Sequence, residues 1–258
     1  MANLAVASVV DYSNVIPFRV IKSNKQEENK PKRPNNKVAG EPSEVYAFKT
    51  KEEISAMIEV LDKHIVEATN EDQKWIANRN KMLFIIGINV GIRGSDLRTL
   101  KWSFFFDKQS DGSLKFKESY KFMPMKTRKH KKYVNIAFNK AVRQAVYNYV
   151  SEYPIKNLDN YLFASRVGNN PITVDCLRKV IKNTASEAGI EQNIGSHSLR
   201  KTFGFWCWHE ACDKNKALVI LQQIFNHSST QTTARYIGIL DDEVKDMFDS
   251  IDLGFDMI

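Results

Sequence analysis

Gly91-Ile92-Arg93-Gly94-Ser95-Asp96-Leu97-Arg98-Thr99-Leu100-Lys101-Trp102 is the stretch on which the reading of this chain turns. It sets an arginine in a glycine-flanked turn between two apolar helical patterns. The pattern before it runs from about Asp72 to Val90, and its segment Met82 to Ile88 is apolar on nearly every side. A helix of that kind is normally central in a core. Gly91 ends it, and a short helix from Ser95 to Leu100 follows. Packing on both sides would hold Arg93 rigidly, and its planar fork suits bidentate phosphate binding. The plainer alternative is a surface arginine capping a helix end.

Working outward, Thr50-Lys51-Glu52-Glu53 reads as a capping box, and Ile54, Ile58, Leu61 and Ile65 follow at helical spacing. Beyond Trp102 the pattern changes to strands. Trp102 to Phe106, Leu114 to Phe122 and Tyr133 to Phe138 predict one small antiparallel sheet, with Ser110-Asp111-Gly112 as a turn. Helical patterns return over 139–152, 173–188, 197–210, 215–226, 230–237 and 241–250. The expected fold is mainly α with a small antiparallel β-sheet (α+β). Residues 1–44 read as a flexible or partly ordered N-terminal arm. They hold four of the seven prolines, and 24–44 is polar without apolar periodicity. Within that arm, Val6 to Val10 and Val15 to Val20 could form short strands or anchor on a neighbouring surface.

The 258 residues carry a net charge of +8, unevenly spread. Residues 237–258 hold seven acids and one lysine, −6, which leaves +14 for residues 1–236. A basic body with an acidic tail points to a polyanionic partner, most often nucleic acid. No apolar run approaches the ~18 residues that span a bilayer, and the N-terminus lacks the basic start of a secretory signal. A cytoplasmic protein is expected. Cys176, Cys207 and Cys212 cannot form a disulfide framework, which fits a reducing compartment. Cys207 and His209 fall on different helix faces, so no metal site is expected.

Four further features bear on chemistry. The segment Lys115 to Lys132 has eight bases and one acid, Glu118. It is either a solvated hairpin touching a nucleic-acid backbone or the carrier of a proton donor beside a scissile bond. His197-Ser198-Leu199-Arg200 puts two basic groups at i and i+3 on one helix face, where both reach one anion. Gly195 and Ser196 would supply the turn and N-cap there, adding the helix dipole. Finally, Asn226-His227-Ser228-Ser229 leads to Tyr236 nine residues after the histidine. A free phenol is only about 0.1 % ionised at pH 7, so a nucleophilic Tyr236 needs a base or a strongly cationic pocket.

Together these motifs resemble the catalytic domain of the tyrosine recombinases, the phage-integrase family, over roughly residues 45–240. Gly91-Ile92-Arg93 through Trp102 is similar to the family's first arginine box. Lys126-Thr127-Arg128-Lys129 before Tyr133-Val134 is similar to its hairpin lysine motif. His197-x-Leu199-Arg200-Lys201-Thr202-Phe203 and Asn226-His227 with Thr232-Thr233-x-x-Tyr236 resemble its later boxes. The resemblance implies that Arg93 and Arg200 clamp the scissile phosphate and that His197 serves as general base or phosphate ligand. It further implies that His227 donates a hydrogen bond and Tyr236 attacks to give a 3′-phosphotyrosyl bond. Lys126 would protonate the leaving 5′-oxygen, with neighbouring Lys129 the lesser candidate. Asp96 would orient Arg93 or the histidine face. Arg128, Lys129, Lys131, Lys132 and Lys201 would contact DNA. No cofactor or metal is called for.

By the same resemblance the partner is double-stranded DNA, bound by a homo-oligomer (a tetramer), in a protein of bacterial, phage or plasmid type belonging to a mobile genetic element. The tail at 241–258, with Val244, Met247, Phe248, Ile251 and Leu253, would dock on a neighbouring protomer or on its own domain. Two features depart from the family pattern. Only the arm precedes the catalytic domain, where relatives carry a helical clamp domain, so an accessory protein is one candidate for the missing half. Phe225-Asn226 stands where Leu-Gly is common before the histidine. Weak, strongly salt-dependent DNA binding is therefore expected. Two other functions stay open: a DNA-binding accessory factor without productive recombination, and strand relaxation of the type IB topoisomerase kind.

Overall fold

The computed structural model describes residues 44–168, 170–240 and 247–251. The arm before residue 44 and the tail at 241–246 and 252–258 lie outside the described residues; residues 247–249 are helical.

Helix α1, Lys51–Val66, starts at the capping box: Thr50 Oγ1 accepts the Glu53 N–H at 3.1 Å, and the Glu53 carboxylate accepts the N–H groups of Thr50 and Lys49. Helix α2, Glu71–Val90, is capped by Asn70, whose side chain accepts the Gln73 N–H. It ends at Gly91, in the left-handed conformation at φ 63°. A side chain there would be strained and would also meet the Phe203 ring at 2.2 Å, so only glycine fits. The short α3, Gly94–Leu97, follows at once. As its all-round apolarity requires, α2 is central. Leu83, Phe84 and Ile86 are fully buried, and α2 packs on α1, on α4 (Lys140–Glu152) and on α6 (Ser196–His209). Each such side chain contributes about 2–3 kcal/mol of burial.

The strand region differs from the expected single sheet. β1 (Phe106–Lys108) pairs with β2 (Leu114–Phe116), and β3 (Ser119–Phe122) pairs with β4 (Val134–Ala137), giving two separate antiparallel hairpins. Trp102–Phe104 forms a 3-10 turn. Trp102, Phe104, Phe105 and Phe106 are all buried, which a strand with alternating faces cannot do against one core. The run Leu114 to Phe122 breaks at Lys117, whose N–H goes back to the Phe105 carbonyl. Phe104, Phe105, Phe116 and Phe138 then pack ring on ring beneath both hairpins. The turn at Asp111-Gly112 forms as expected, with Gly112 at φ 84°.

Helices α5 (Val174–Glu187), α7 (Lys214–Phe225) and α8 (Thr230–Ile237) complete the order, capped by Thr173, Asp213 and Ser229. A second core joins Phe205 of α6 to Leu221 and Phe225 of α7, Ala234 and Ile237 of α8, and Ala47. Contact here is close: a Cβ on Gly204 would meet Ile237 at 2.5 Å. Among the described residues no helix is long and apolar enough to cross a membrane.

Candidate active site

Arg93 is the extended residue that caps α3, held between the Gly91 turn and the core. The turn seats on the start of α6, where a Cβ on Gly94 would meet Ser196 at 3.2 Å. Asp96 is buried and its Oδ1 accepts the backbone N–H of Met125 at 3.0 Å. It therefore fastens the loop carrying Lys126 to the turn carrying Arg93. That bond differs from the expected orientation of Arg93 or the histidines, although the Asp96 charge also faces Arg200. Lys126 and Arg128 are exposed on a 3-10 turn, Met125–His130, that joins β3 to β4.

The N-cap of α6 is Gly195, and Ser196 is already helical. Ser198 Oγ accepts the Gly195 N–H at 3.1 Å. His197 sits exposed at the rim, while Arg200, one turn later, is buried. The Arg200 guanidinium donates to the Gly91 carbonyl and, at 3.1 Å, to that of Phe225, and lies over the Phe225 ring. It thus ties the Arg93 turn to the end of α7. Burial pushes Arg200 down to about 10, against the pull of the Tyr236 phenol.

At the end of α7, Asn226 adopts the left-handed conformation at φ 53°, the place a glycine commonly takes. Its side chain is not idle: Lys132 Nζ donates to Asn226 Oδ1 at 2.8 Å. His227 follows, with Nδ1 3.1 Å from the hydroxyl of fully buried Thr233. Partial burial, then the charges of Arg200, Arg93 and Lys126, push His227 down to about 4. Tyr236 lies on α8, its ring edge-on to His227 at 5.1 Å and its hydroxyl 3.5 Å from His197 Nδ1. Burial raises the phenol above its ordinary range, while Arg200 and Arg93 pull it back. Desolvation, with Arg200, Arg93 and Lys201, lowers His197.

Arg93, His197, Arg200, His227 and Tyr236 therefore converge, with Lys126 within electrostatic reach of His227. Lys131 and Lys132 are exposed beside them, and an open groove of about 350 Å³ runs between Arg93, Pro124, Lys132 and Asn226. The Lys129 side chain lies outside the described residues. Lys201 stands apart from its expected place on the DNA-facing surface: it is buried and its ammonium is 2.8 Å from Glu44. Asn226 and Thr233 were not singled out as site residues, and only their places next to the His227 and Tyr236 motifs signalled them. Among the described residues no three His, Cys, Asp or Glu side chains gather as a metal group.

The sequence profile described as the phage integrase family matches residues 49–243. The chain belongs to the phage integrase family. Among curated relatives of this integrase-family chain, the probable integrase/recombinase YoeC of Bacillus subtilis is 33 % identical over 183 residues, covering 70 % of this chain and 90 % of YoeC. Tyrosine recombinase XerH of Campylobacter jejuni is 25 % identical over 204 residues, covering 77 % of this chain and half of XerH. Of solved structures, XerA recombinase superposes with a TM-score of 0.56 at 21 % identity, covering 85 % of this chain and 65 % of that one. XerH bound to palindromic difH substrate, a post-cleavage complex, gives 0.51 at 21 % identity, covering 77 % and 50 %. These two likenesses bear on the fold, which is that of the tyrosine recombinases.

Proposed function

We propose that this integrase-family chain is a site-specific DNA recombinase that cuts and rejoins strands through a 3′-phosphotyrosyl link, with residues 45–240 as its catalytic domain. The observation that carries this is the convergence of a phenol, two arginines and two histidines from four separate parts of the chain onto one pocket. No core needs two guanidinium groups beside one tyrosine, since clustered like charges cost several kcal/mol without a counter-ion. A phosphodiester supplies that counter-ion.

The chemistry divides among the residues as follows. Arg93 and Arg200 hold the non-bridging oxygens and take up the charge of the five-coordinate transition state. Burial and the neighbouring cations favour the neutral form of His197, whose Nδ1 lone pair can accept the Tyr236 proton as the phenolate oxygen attacks phosphorus. His227 gives the phosphate a further hydrogen bond; its Nδ1 is held 3.1 Å from the Thr233 hydroxyl, which donates to the Ser229 carbonyl. Lys126 gives a proton to the departing 5′-oxygen. One P–O bond forms as another breaks, so the ester keeps the energy needed for rejoining. Exposed Arg128, Lys131 and Lys132, together with Lys129, would follow the flanking backbone of double-stranded DNA, and recombination would proceed in a homo-oligomer.

Nicked suicide DNA substrates test this. A covalent adduct that forms with wild type and is lost in Tyr236→Phe is expected on cognate DNA. No adduct in either would remove the reading and leave an accessory DNA-binding factor. Adducts on any sequence would favour topoisomerase-like relaxation.

A further inference from the structure

Lys201 follows Arg200 on α6, so the helix turns it about 100° away from that residue's face. It is 7 % exposed, a rare state for a lysine, and its Nζ lies 2.8 Å from Glu44 Oε1 and 5.5 Å from the centre of the Tyr236 ring. An ammonium here costs desolvation that an apolar side chain of the same length would avoid. Glu44, about half exposed, is itself well placed. Its carbonyl accepts from Asn193 Nδ2 at 2.7 Å, and the Tyr46 N–H returns to the Asn193 carbonyl. The Phe48 N–H donates to Thr202 Oγ1, and Trp206 Nε1 donates to the Phe48 carbonyl. Val45 lies so near the α6 N-cap that a Cβ on Gly195 would stand 3.2 Å from it. Residues 44–48 thus form a strap bonded along the helix that carries His197 and Arg200.

We propose that Lys201 is a positioning residue for the Tyr236–His197 pair, and that Glu44 on the strap sets how much of its charge the pair feels. The inference rests on reading Tyr236 as the nucleophile. An ammonium at a ring face attracts a phenol weakly and a phenolate, whose charge spreads into the ring, more strongly. The same ammonium helps hold His197 below its ordinary range. Other charged or titratable groups face the pair from each neighbouring element: Arg200 on α6, Arg93 from the α3 turn and His227 from the α7–α8 connection, while Lys126 of the β3–β4 loop acts on His227. The Asp96 carboxylate acts on Arg200. Glu44 is the carboxylate bonded to the one of these cations that lies against the Tyr236 ring.

Two readouts on the full chain test this. The first is the NMR titration of the His197 imidazole without DNA. The second is the pH–rate profile of adduct formation on suicide DNA. Glu44→Gln is expected to lower the His197 titration and the acid limb of the profile, which the base His197 sets, by about half a unit. Lys201→Met should raise both, and Lys201→Arg should restore wild-type values. His197 titrations unchanged within about 0.1 unit across the variants would overturn the proposal, as would Lys201→Arg behaving like Lys201→Met. Should Lys201→Met not fold, Glu44→Gln at a half-exposed position still decides. A wild type that forms no adduct would defeat the nucleophile reading alone, because the His197 titration measures the effect of Lys201 without any reaction.

Discussion

Replacing Arg200 with methionine separates what that residue does for the fold from what it does for the reaction. The substitution removes two hydrogen bonds from a charged donor, to the Gly91 and Phe225 carbonyls. Bonds of that kind contribute about 1.5–3 kcal/mol each. Against that loss stands the burial of the guanidinium, whose fall to about 10 from the ordinary 12.5 corresponds to about 3 kcal/mol of cost relieved by a neutral side chain. Methionine occupies much of the vacated volume and is flexible enough to repack. The balance is a loss of about 1–2 kcal/mol, or a Tm lower by about 2–8 °C for a domain of this size. Adduct formation should fall far further, by about 10³–10⁵, as when an arginine that neutralises a phosphoryl transition state is removed. Calorimetry and a suicide-substrate assay on the same preparations read both numbers. Inorganic phosphate should also raise the Tm of wild type and leave the variant unmoved. A variant that cleaves within about tenfold of wild type would refute the assignment of Arg200 to the phosphate. One that loses more than about 5 kcal/mol of stability would show that the side chain serves mainly as a structural tie.

Three other outcomes follow from the same geometry. His227 titrates near 4 in the folded chain and near 6.5 when unfolded, so the unfolded state takes the proton first and stability falls as pH drops from about 6.5 to about 4. Full conversion gives about 3 kcal/mol, but the ring is only half-buried, and about 1 kcal/mol is the expected loss; urea unfolding at both ends should show it, flattened in His227→Gln. Asn226→Gly keeps the left-handed turn and removes the Lys132 anchor, so it should leave stability within about 0.5 kcal/mol, whereas Asn226→Ala should cost about 1 kcal/mol in denaturant melts. Lys132→Ala should weaken DNA binding about equally across sequences and reduce the slope of log K against log salt by about 1, measured by fluorescence anisotropy.

The parts of this molecule that were legible in the sequence are those whose causes are local. Thr50 and Glu53 announce the start of α1 because a capping box closes within four residues. Gly91 announces the end of α2 because a left-handed residue strongly favours glycine. His197 and Arg200 come to one side of α6 because one helical turn aligns them. The hairpins failed a local reading for a physical reason. Phe104, Phe105 and Phe106 score as strand, yet three consecutive buried rings need a turn, and the core that buries them is assembled from Phe116 and Phe138 further along the chain. Arg79 escaped notice likewise: besides adjacent Asn80, the acceptor that makes its burial tolerable is the Ala164 carbonyl, 85 residues away. Lys201 is the sharpest case. Adjacency in Leu199-Arg200-Lys201 suggests a shared ligand, but adjacent residues on a helix point about 100° apart, so a lysine beside a pocket-facing arginine is directed elsewhere by default. What it is directed at depends on Glu44, 157 residues earlier in the chain, and a pairing across that distance leaves no periodic trace in the sequence. The catalytic boxes can be read because each is compact; the contacts that tune them join residues far apart in the chain and become visible only once the helices are packed.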